Sequence, residues 1–147
     1  MLLTSPSFRS GELIPDKFTC SGGDINPTLE ISNVPSEAES LALIVDDPDA
    51  PGGTFTHWTV WNIAPDTVLI KEESRPPKSV EGATDFGRVG YGGPCPPPGK
   101  AHRYHFALYA LDSTLALPEG ASKAQFKDEI KKHLIVSAEL FGLYERK

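Results

Sequence analysis

The distribution of proline and glycine is the feature of this sequence that most restricts its fold. The chain of 147 residues contains 14 prolines and 13 glycines, which cluster between short apolar runs. Proline interrupts helices and glycine favours turns, so the clusters cut the chain into segments too short for long helices. The segments between the clusters are rich in Val, Ile, Thr, Trp and Tyr, which favour strands. The pattern predicts a fold built mainly from short strands joined by turns.

Five segments are predicted strands: residues 40–45, 55–63, 67–71, 102–111 and 134–144. Side chains alternate between the two faces of a strand, so residues two apart share a face. In the second strand this alternation groups His57, Thr59, Trp61 and Ile63. In the fourth it groups His102, Tyr104, Phe106, Leu108 and Ala110. We therefore expect one histidine near the start of each of these two strands to lie on a defined face.

One helix is predicted near the C-terminus. Ser122 is a good N-cap and Gln125, three residues later, completes a capping-box pattern. Phe126, Ile130 and Leu134 follow at helical spacing and form an apolar stripe. No helical pattern separates the earlier strands, which argues against a parallel sheet. The sequence predicts one domain over residues 1–147, with two antiparallel sheets packed as a β-sandwich.

Charge and hydropathy limit the classes of partner. The formal net charge is −6 and the pI is about 5.1, which argues against nucleic acid and anionic membranes as main partners. No apolar run approaches the roughly 20 residues of a membrane-spanning helix. The first residues lack the pattern of a signal peptide, so we expect a cytoplasmic location. In that compartment Cys20 and Cys95 are expected to be free thiols, although one disulfide stays open if their loops meet.

An acidic turn follows the first long predicted strand. Residues 46–53 read Asp-Asp-Pro-Asp-Ala-Pro-Gly-Gly. Each proline restricts the residue before it, and we expect a cis bond between Ala50 and Pro51 because cis prolines occur in tight turns. One interpretation is a rigid turn that directs one or two carboxylates into a pocket. The other is an ordinary acidic turn at the surface.

A single histidine, His57, lies near the start of the Trp-rich second strand. Histidine titrates near neutral pH and is therefore a candidate functional residue, although a structural role is the more common one for a histidine taken alone. Trp58 and Trp61 are interpreted as core or interface residues. An exposed Trp58 or Phe55 would suit a dimer interface.

A long loop rich in glycine and proline leads into the fourth strand. Residues 87–104 read Gly-Arg-Val-Gly-Tyr-Gly-Gly-Pro-Cys-Pro-Pro-Pro-Gly-Lys-Ala-His-Arg-Tyr. Long structured loops in small domains are usually functional. The strand that follows presents His102 and Tyr104 on one face, and both side chains can donate hydrogen bonds to a phosphate or carboxylate. Arg103 falls on the opposite face, where a structural ion pair is the simplest interpretation.

Together these segments resemble the phosphatidylethanolamine-binding protein family, also called the Raf kinase inhibitor protein family. The Asp-Pro-Asp-x-Pro motif of that family matches residues 47–51, and its next histidine matches His57. The Gly-Tyr-x-Gly-Pro-x-Pro-Pro motif matches residues 90–97. The Gly-x-His-Arg-Tyr motif matches residues 99–104 with one additional residue between Gly99 and His102. The chain resembles the small bacterial and archaeal branch, because no long helix follows Tyr144.

The resemblance implies a Greek-key antiparallel β-sandwich of two sheets with one or two short helices. It also implies a pocket at one end of the sandwich that binds phosphate, phosphoethanolamine or a similar anion, with no cofactor. The residues carried over to this pocket are Asp47, Pro48, His57, Tyr91, Pro94, His102 and Tyr104. The family includes inhibitors of kinases and of serine proteases, so both are expected as partner classes, and its small members are often homodimers.

Other functions use the same residues. Two histidines and a carboxylate are a common metal-ligand set, but their spacing does not form a compact metal motif. Asp47 with either histidine is a candidate acid–base pair for a hydrolase, yet no evident nucleophile accompanies it. We therefore expect a binding protein without catalytic or metal-binding residues. Anion affinity is expected to weaken as pH rises and the histidines lose their protons.

Overall fold

The computed structural model describes all 147 residues and contains two antiparallel sheets, so the predicted mainly-β fold is confirmed. The strands are β1 (Leu2–Thr4), β2 (Leu29–Ser32), β3 (Ser40–Asp47), β4 (Phe55–Ile63), β5 (Leu69–Ile70), β6 (Val80–Glu81), β7 (His102–Leu111) and β8 (Leu134–Tyr144). One sheet has the order β1-β2-β5 and the other β6-β4-β3-β7-β8. A 3₁₀ turn covers Asp16–Phe18, and the helix α1 covers Lys123–His133. No helix is long and apolar enough to cross a membrane.

Two apolar cores hold three layers together. The larger core lies between the two sheets and includes Leu43, Trp58 and Phe106, all fully buried. The smaller core lies between the five-stranded sheet and α1, where Trp61 packs on Phe126 with ring centroids 4.8 Å apart. Because the five-stranded sheet is covered on both faces, the first six residues of the central strand β3 are all buried, and five of them are apolar.

The helix prediction is confirmed at its start and wrong at its end. The Ser122 side chain accepts a hydrogen bond from the Gln125 N–H, and the Gln125 side chain accepts one from the Ser122 N–H. Phe126 and Ile130 are buried as predicted. Leu134 begins β8 instead and is 47% exposed, because the chain turns directly from the helix into a strand that pairs with β7. The predicted strand at residues 67–71 is also shorter, since only Leu69–Ile70 pairs with β2.

Two irregularities in β4 overturn the predicted grouping of its side chains. Val45 pairs with Trp58 while Asp46 pairs with Thr56, which leaves His57 as the extra residue of a bulge. A bulge places two successive residues opposite one partner and redirects a side chain. His57 therefore lies on the inner face with Trp58, rather than on the face of Trp61.

A second shift occurs at Asn62, whose φ is +56°. It returns Ile63 to the inner core, whereas Trp61 packs under the helix. The simple alternation is thus wrong for His57 and Ile63, and the fold depends on both exceptions. In β7 the alternation is confirmed, because Tyr104, Phe106 and Leu108 all pack into the inner core.

The expectation of free thiols is wrong, since Cys20 and Cys95 form a disulfide. The two loops meet because the N–H of Cys20 donates to the carbonyl of Pro94 at 3.1 Å. This contact joins positions 75 residues apart in sequence, which residue spacing alone does not reveal.

The predicted cis bond between Ala50 and Pro51 is also wrong, because every peptide bond is trans. The turn closes by other means. The Asp47 carboxylate accepts the N–H of Asp49 at 2.8 Å, and Gly53 has a φ of +104°, a conformation that glycine adopts without steric cost.

Candidate functional site: a small cavity at the end of the sandwich

Antiparallel pairing brings three strand ends together at one end of the sandwich. Strand β3 pairs with both β4 and β7, so its C-terminal end lies beside their N-terminal ends. Asp47 is the last residue of β3 and pairs with Phe55 at the start of β4. His102 is the first residue of β7, and Tyr104 is the third. The acidic turn and the Gly/Pro-rich loop, distant in sequence, therefore border the same space.

That space is a cavity of about 130 Å³. Its lining comprises Asp47, Ala50, Pro51, Phe55, His57, Phe86, Cys95, Pro96, Pro97, His102 and Tyr104. Four of the predicted site residues, Asp47, His57, His102 and Tyr104, thus lie around one cavity. Most of the remaining lining is apolar, so the cavity has a polar end and apolar walls.

A buried carboxylate–imidazole pair forms part of the polar end. The Nδ1 atom of His102 lies 2.7 Å from Oδ2 of Asp47, and the two residues are 5% and 3% exposed. An ionised carboxylate only accepts hydrogen bonds, so Nδ1 carries the proton in this pair. The other ring nitrogen, Nε2, then has no partner within the protein. Asp47 fixes the orientation of the ring and leaves Nε2 available to a ligand.

His57 is oriented by backbone rather than by a carboxylate. Its Nδ1 lies 2.7 Å from the Gly92 carbonyl, and the Gly92 N–H donates to the His57 carbonyl at 3.0 Å. A carbonyl only accepts, so Nδ1 donates and Nε2 is again the free nitrogen. Burial lowers the pKa of His57, and the Gly92 hydrogen bond and the charge of Asp47 oppose this only in part. Burial therefore favours the neutral form of His57.

The Tyr104 hydroxyl is a buried polar group without a partner. Tyr104 is 1% exposed, and its hydroxyl faces the Asp47 carboxylate without forming a hydrogen bond of ordinary geometry. Leaving such a group unpaired is unfavourable by about 1–3 kcal/mol. Burial, followed by the negative charge of Asp47, raises the pKa of Tyr104 above its usual value. The hydroxyl thus keeps its proton and remains a hydrogen-bond donor at the cavity.

Aromatic rings support the site from the side. Phe86 packs edge-on against Phe55 at 4.8 Å and against His57 at 5.2 Å between ring centroids. Tyr104 packs edge-on against the other side of His57 at 5.3 Å. These contacts hold the imidazole ring of His57 between two rings, so its free nitrogen has a fixed position.

The three carboxylates of the acidic turn have separate roles. Only Asp47 lines the cavity. Asp46 pairs with Lys123 of α1 at 3.0 Å, and Asp49 forms a two-pronged ion pair with Arg103 at 2.8 and 3.0 Å. The Arg103 guanidinium holds the pKa of Asp49 well below its usual range. The structural ion pair expected for Arg103 is confirmed, and its partner belongs to the same turn as the cavity carboxylate.

Three predicted site residues lie outside the cavity lining. Pro48 borders a separate depression on the outer face, together with Arg103. The Tyr91 hydroxyl donates to the Phe18 carbonyl at 2.8 Å, and its ring packs edge-on against Trp58 at 5.6 Å. Pro94 is buried beside the disulfide. Tyr91 and Pro94 thus hold the loop in place from behind.

Sequence reasoning missed the apolar lining. The missed residues are Ala50, Pro51, Phe55, Phe86, Cys95, Pro96 and Pro97. Five of them lie in the two motif segments, so their nearness to the predicted residues was a usable signal. Phe86 carried no such signal, because it reaches the cavity through a turn whose placement depends on the whole fold. Phe55 lines the cavity and Trp58 is 1% exposed, so the suggested interface role of Trp58 gives way to a core role.

No three His, Cys, Asp or Glu side chains are grouped closely enough to hold a metal ion. The two histidines and the carboxylate face one cavity, but Asp47 and Nδ1 of His102 are already bonded to each other. The donor set therefore fits a hydrogen-bonded ligand better than a cation.

Comparison with known proteins agrees with this geometry. The family model described as phosphatidylethanolamine-binding protein matches residues 4–145. A UPF0098 protein of Pyrococcus horikoshii is 50% identical over 99% of this chain and 77% of its own length.

Two solved structures superpose closely. A homolog of the phosphatidylethanolamine-binding protein from Chlamydia trachomatis has a TM-score of 0.94 and 42% identity, covering 99% of this chain and 97% of its own. Escherichia coli YbcL, described as a member of the mammalian family, has a TM-score of 0.93 and 34% identity, covering 99% and 98%. The chain therefore belongs to the phosphatidylethanolamine-binding protein family.

Proposed function

We propose that this protein binds a small phosphate-bearing anion, phosphate itself or a phosphoethanolamine-like monoester, in the cavity at the end of the sandwich. The observation that carries the proposal is the unpartnered hydroxyl of Tyr104, buried against that cavity. A phosphate oxygen would accept a hydrogen bond from this hydroxyl and so satisfy the buried donor. The Nε2 atoms of His57 and His102 offer two further ligand contacts. A neutral ring accepts a hydrogen bond from a protonated phosphate oxygen, and a protonated ring donates one to an unprotonated oxygen.

The sign of Asp47 is compatible with an anion. Its charge is already engaged by the His102 ring at 2.7 Å. A protonated His102 presents Nε2–H to the ligand while Asp47 balances the charge behind it. Asp47 therefore acts as an orienting partner for a cationic donor and not as a competing anion. With a net charge of −6 for the chain, this local arrangement must supply the attraction.

The size of the cavity limits the ligand. Pockets for drug-sized ligands measure about 300–1,000 Å³, so 130 Å³ suits a head group. The apolar rings and prolines of the wall favour a phosphate with a short organic substituent, because the carbon atoms of that substituent can pack against them. This supports a monoester whose ester side contacts Phe55, Phe86 and Pro96.

A binding role without catalysis is part of the proposal. The one sulfur that lines the cavity belongs to Cys95 and is in a disulfide, so it is not a nucleophile. The name of the Chlamydia trachomatis structure, a homolog of a phosphatidylethanolamine-binding protein, supports a phosphate-bearing ligand. Regulation of a kinase, inhibition of a serine protease and homodimer formation stay predictions.

The cytoplasmic location also stays a prediction, and the disulfide bears on it. Disulfides persist in oxidising compartments and inside hyperthermophiles.

An NMR titration of the histidine ring signals tests the binding proposal. Phosphate and phosphoethanolamine should shift the rings of His57 and His102 together and saturably. His105 and His133 are internal controls, because they pair with Glu139 and Asp112 away from the cavity. Shifts confined to the two control rings, or no saturation at either site ring, would contradict the proposal. Rings that respond to zinc but not to phosphate would favour the metal alternative.

A further inference from the structure

Residues 96–101 form the loop wall of the cavity, and few polar interactions fix their position. Its backbone makes no hydrogen bond with any other part of the chain. Three successive prolines, Pro96 to Pro98, have no N–H to donate. Two of them, Pro96 and Pro97, line the cavity. The wall depends on whatever fixes its two ends.

The end that leads into β7 is fixed by sheet pairing at His102. The other end is fixed at Cys95. Up to Pro94 the chain is tied by hydrogen bonds, since Gly93 donates to the Asp24 carboxylate at 2.7 Å and Pro94 accepts from Cys20. Beyond Pro94 the Cys20–Cys95 disulfide is the last covalent or hydrogen-bonded anchor before the wall begins.

This disulfide is open to exchange. Both cysteines are exposed, and exposed disulfides are the more readily reduced ones. Nη1 of Arg146 lies 3.2 Å from Sγ of Cys95. A nearby guanidinium stabilises a thiolate, so Cys95 is the better leaving group of the two.

We propose that the Cys20–Cys95 disulfide is a redox switch for the anion cavity, with high affinity in the oxidised form and low affinity in the reduced form. The proposal rests on the proposed function, because the switch acts on that binding site. Once Cys95 is released, the six-residue wall can leave the position in which Pro96 and Pro97 close the cavity. Apparent affinity then falls with the fraction of molecules whose wall is in place.

The chemistry is a thiol–disulfide exchange with a dithiol reductant. A thiolate of the reductant attacks Sγ of Cys20, the bond between the two protein sulfurs breaks, and Cys95 leaves as a thiolate beside Arg146. The second thiolate of the reductant attacks the reductant sulfur of the mixed disulfide and releases Cys20. The protein gains two electrons and, on protonation, two protons, while the reductant is oxidised to a disulfide.

Phosphate affinity of the full chain, measured calorimetrically with and without dithiothreitol, tests the switch. We expect the reduced protein to bind phosphate about tenfold more weakly, which corresponds to a wall in place about a tenth of the time. Re-oxidation should restore the original affinity. The double variant Cys20→Ser/Cys95→Ser should bind like the reduced protein and should not respond to dithiothreitol.

Each outcome separates the switch from the function. Equal phosphate affinity in the two redox forms would overturn the switch and leave the proposed function intact. No phosphate binding by the oxidised protein would overturn the proposed function and the switch with it. The dispersion of the amide NMR signals of the reduced protein shows whether it stays folded. Loss of this dispersion would overturn the local switch, because global unfolding would then explain the weaker binding.

The role of Arg146 has its own test. Arg146→Gln should slow reduction by dithiothreitol severalfold, because the Cys95 thiolate loses its neighbouring charge. Arg9→Gln is the matched control, since Arg9 is exposed and makes no contact with either sulfur. An unchanged reduction rate in Arg146→Gln would remove Arg146 from the mechanism.

Discussion

The two walls of the cavity differ in how they are held. The strand wall, formed by Asp47, His57, His102 and Tyr104, is built into the five-stranded sheet, and every one of these residues is at most 5% exposed. The loop wall at residues 96–101 makes no backbone hydrogen bonds and depends on a disulfide. The polar groups that need exact positions therefore lie on the rigid wall. The loop wall contributes mainly apolar surface, through Pro96 and Pro97.

The same contrast separates two tyrosines, the half-buried Tyr91 and the buried Tyr104. The Tyr91 hydroxyl donates to the Phe18 carbonyl, so its bonding is complete within the fold. The Tyr104 hydroxyl has no partner. A buried donor that the fold leaves unpaired at the lining of a cavity marks a candidate ligand contact, whereas a donor that the fold satisfies has a structural role.

The largest effect should follow from breaking the strand wall at Asp47. In Asp47→Ala the His102 ring loses its buried partner, and the free energy of unfolding should fall by about 3 kcal/mol. Phosphate affinity should fall about tenfold or more, as it does at metal sites when a histidine loses its carboxylate. Chemical denaturation and calorimetric titration check the two effects. A stable variant with unchanged affinity would show that Asp47 does not orient His102.

An intermediate effect should distinguish the two tyrosines. Tyr104→Phe removes a hydroxyl that the ligand alone satisfies, so phosphate affinity should fall about tenfold, or about 1.5 kcal/mol. Its free energy of unfolding should stay level or rise. Tyr91→Phe, the matched control, breaks a 2.8 Å hydrogen bond and should lower the free energy of unfolding by about 1 kcal/mol with little change in affinity. The reverse pattern would place the ligand at Tyr91 instead.

The smallest effect, a few-fold change, should come from pH. Burial lowers the pKa of His57, so this ring takes up a second proton only when the pH falls below 6.5, the ordinary pKa of histidine. Sulfate is the suitable probe because its own charge is constant over this range. Sulfate affinity should rise as pH falls from 8 to 5, and His57→Gln should flatten part of that rise. A sulfate affinity independent of pH would exclude histidine protonation from binding.

As pH falls, the free energy of unfolding of the unliganded protein should decrease, whereas the sulfate affinity should rise. Because the folded pKa of His57 lies below the unfolded value, the unfolded state binds more protons. The contribution of His57 to the free energy of unfolding is therefore fully present above pH 6.5 and is lost as pH falls below that value. Comparing chemical denaturation of the unliganded protein and of His57→Gln at pH 7.5 and 5.5 isolates this contribution.

Much of the strand wall could be predicted because its residues obey local rules. His102 and Tyr104 alternate regularly along β7, and Asp47 follows a recognisable apolar strand. His57 was predicted as a site residue but was assigned to the wrong face of β4. The surrounding Thr, Trp and Val residues give no local signal for a β-bulge. The error shows the limit of periodicity, since one extra residue reverses every later position.

The loop wall could not be predicted in the same way. Its position depends on contacts between residues 18–24 and 91–95, which are far apart in sequence. The disulfide is the clearest case, since two cysteines in a chain carry no information about whether their loops meet. Phe86 likewise reaches the cavity only through tertiary packing.

Local patterns in the chain specify the mainly-β class, the capped helix and the residue types of the candidate site, because turn chemistry, capping and side-chain period act over a few positions. The tertiary structure decided which face His57 occupies, which carboxylate of the acidic turn enters the cavity, and that Cys20 joins Cys95. These depend on strand register and long-range packing, which no local pattern encodes.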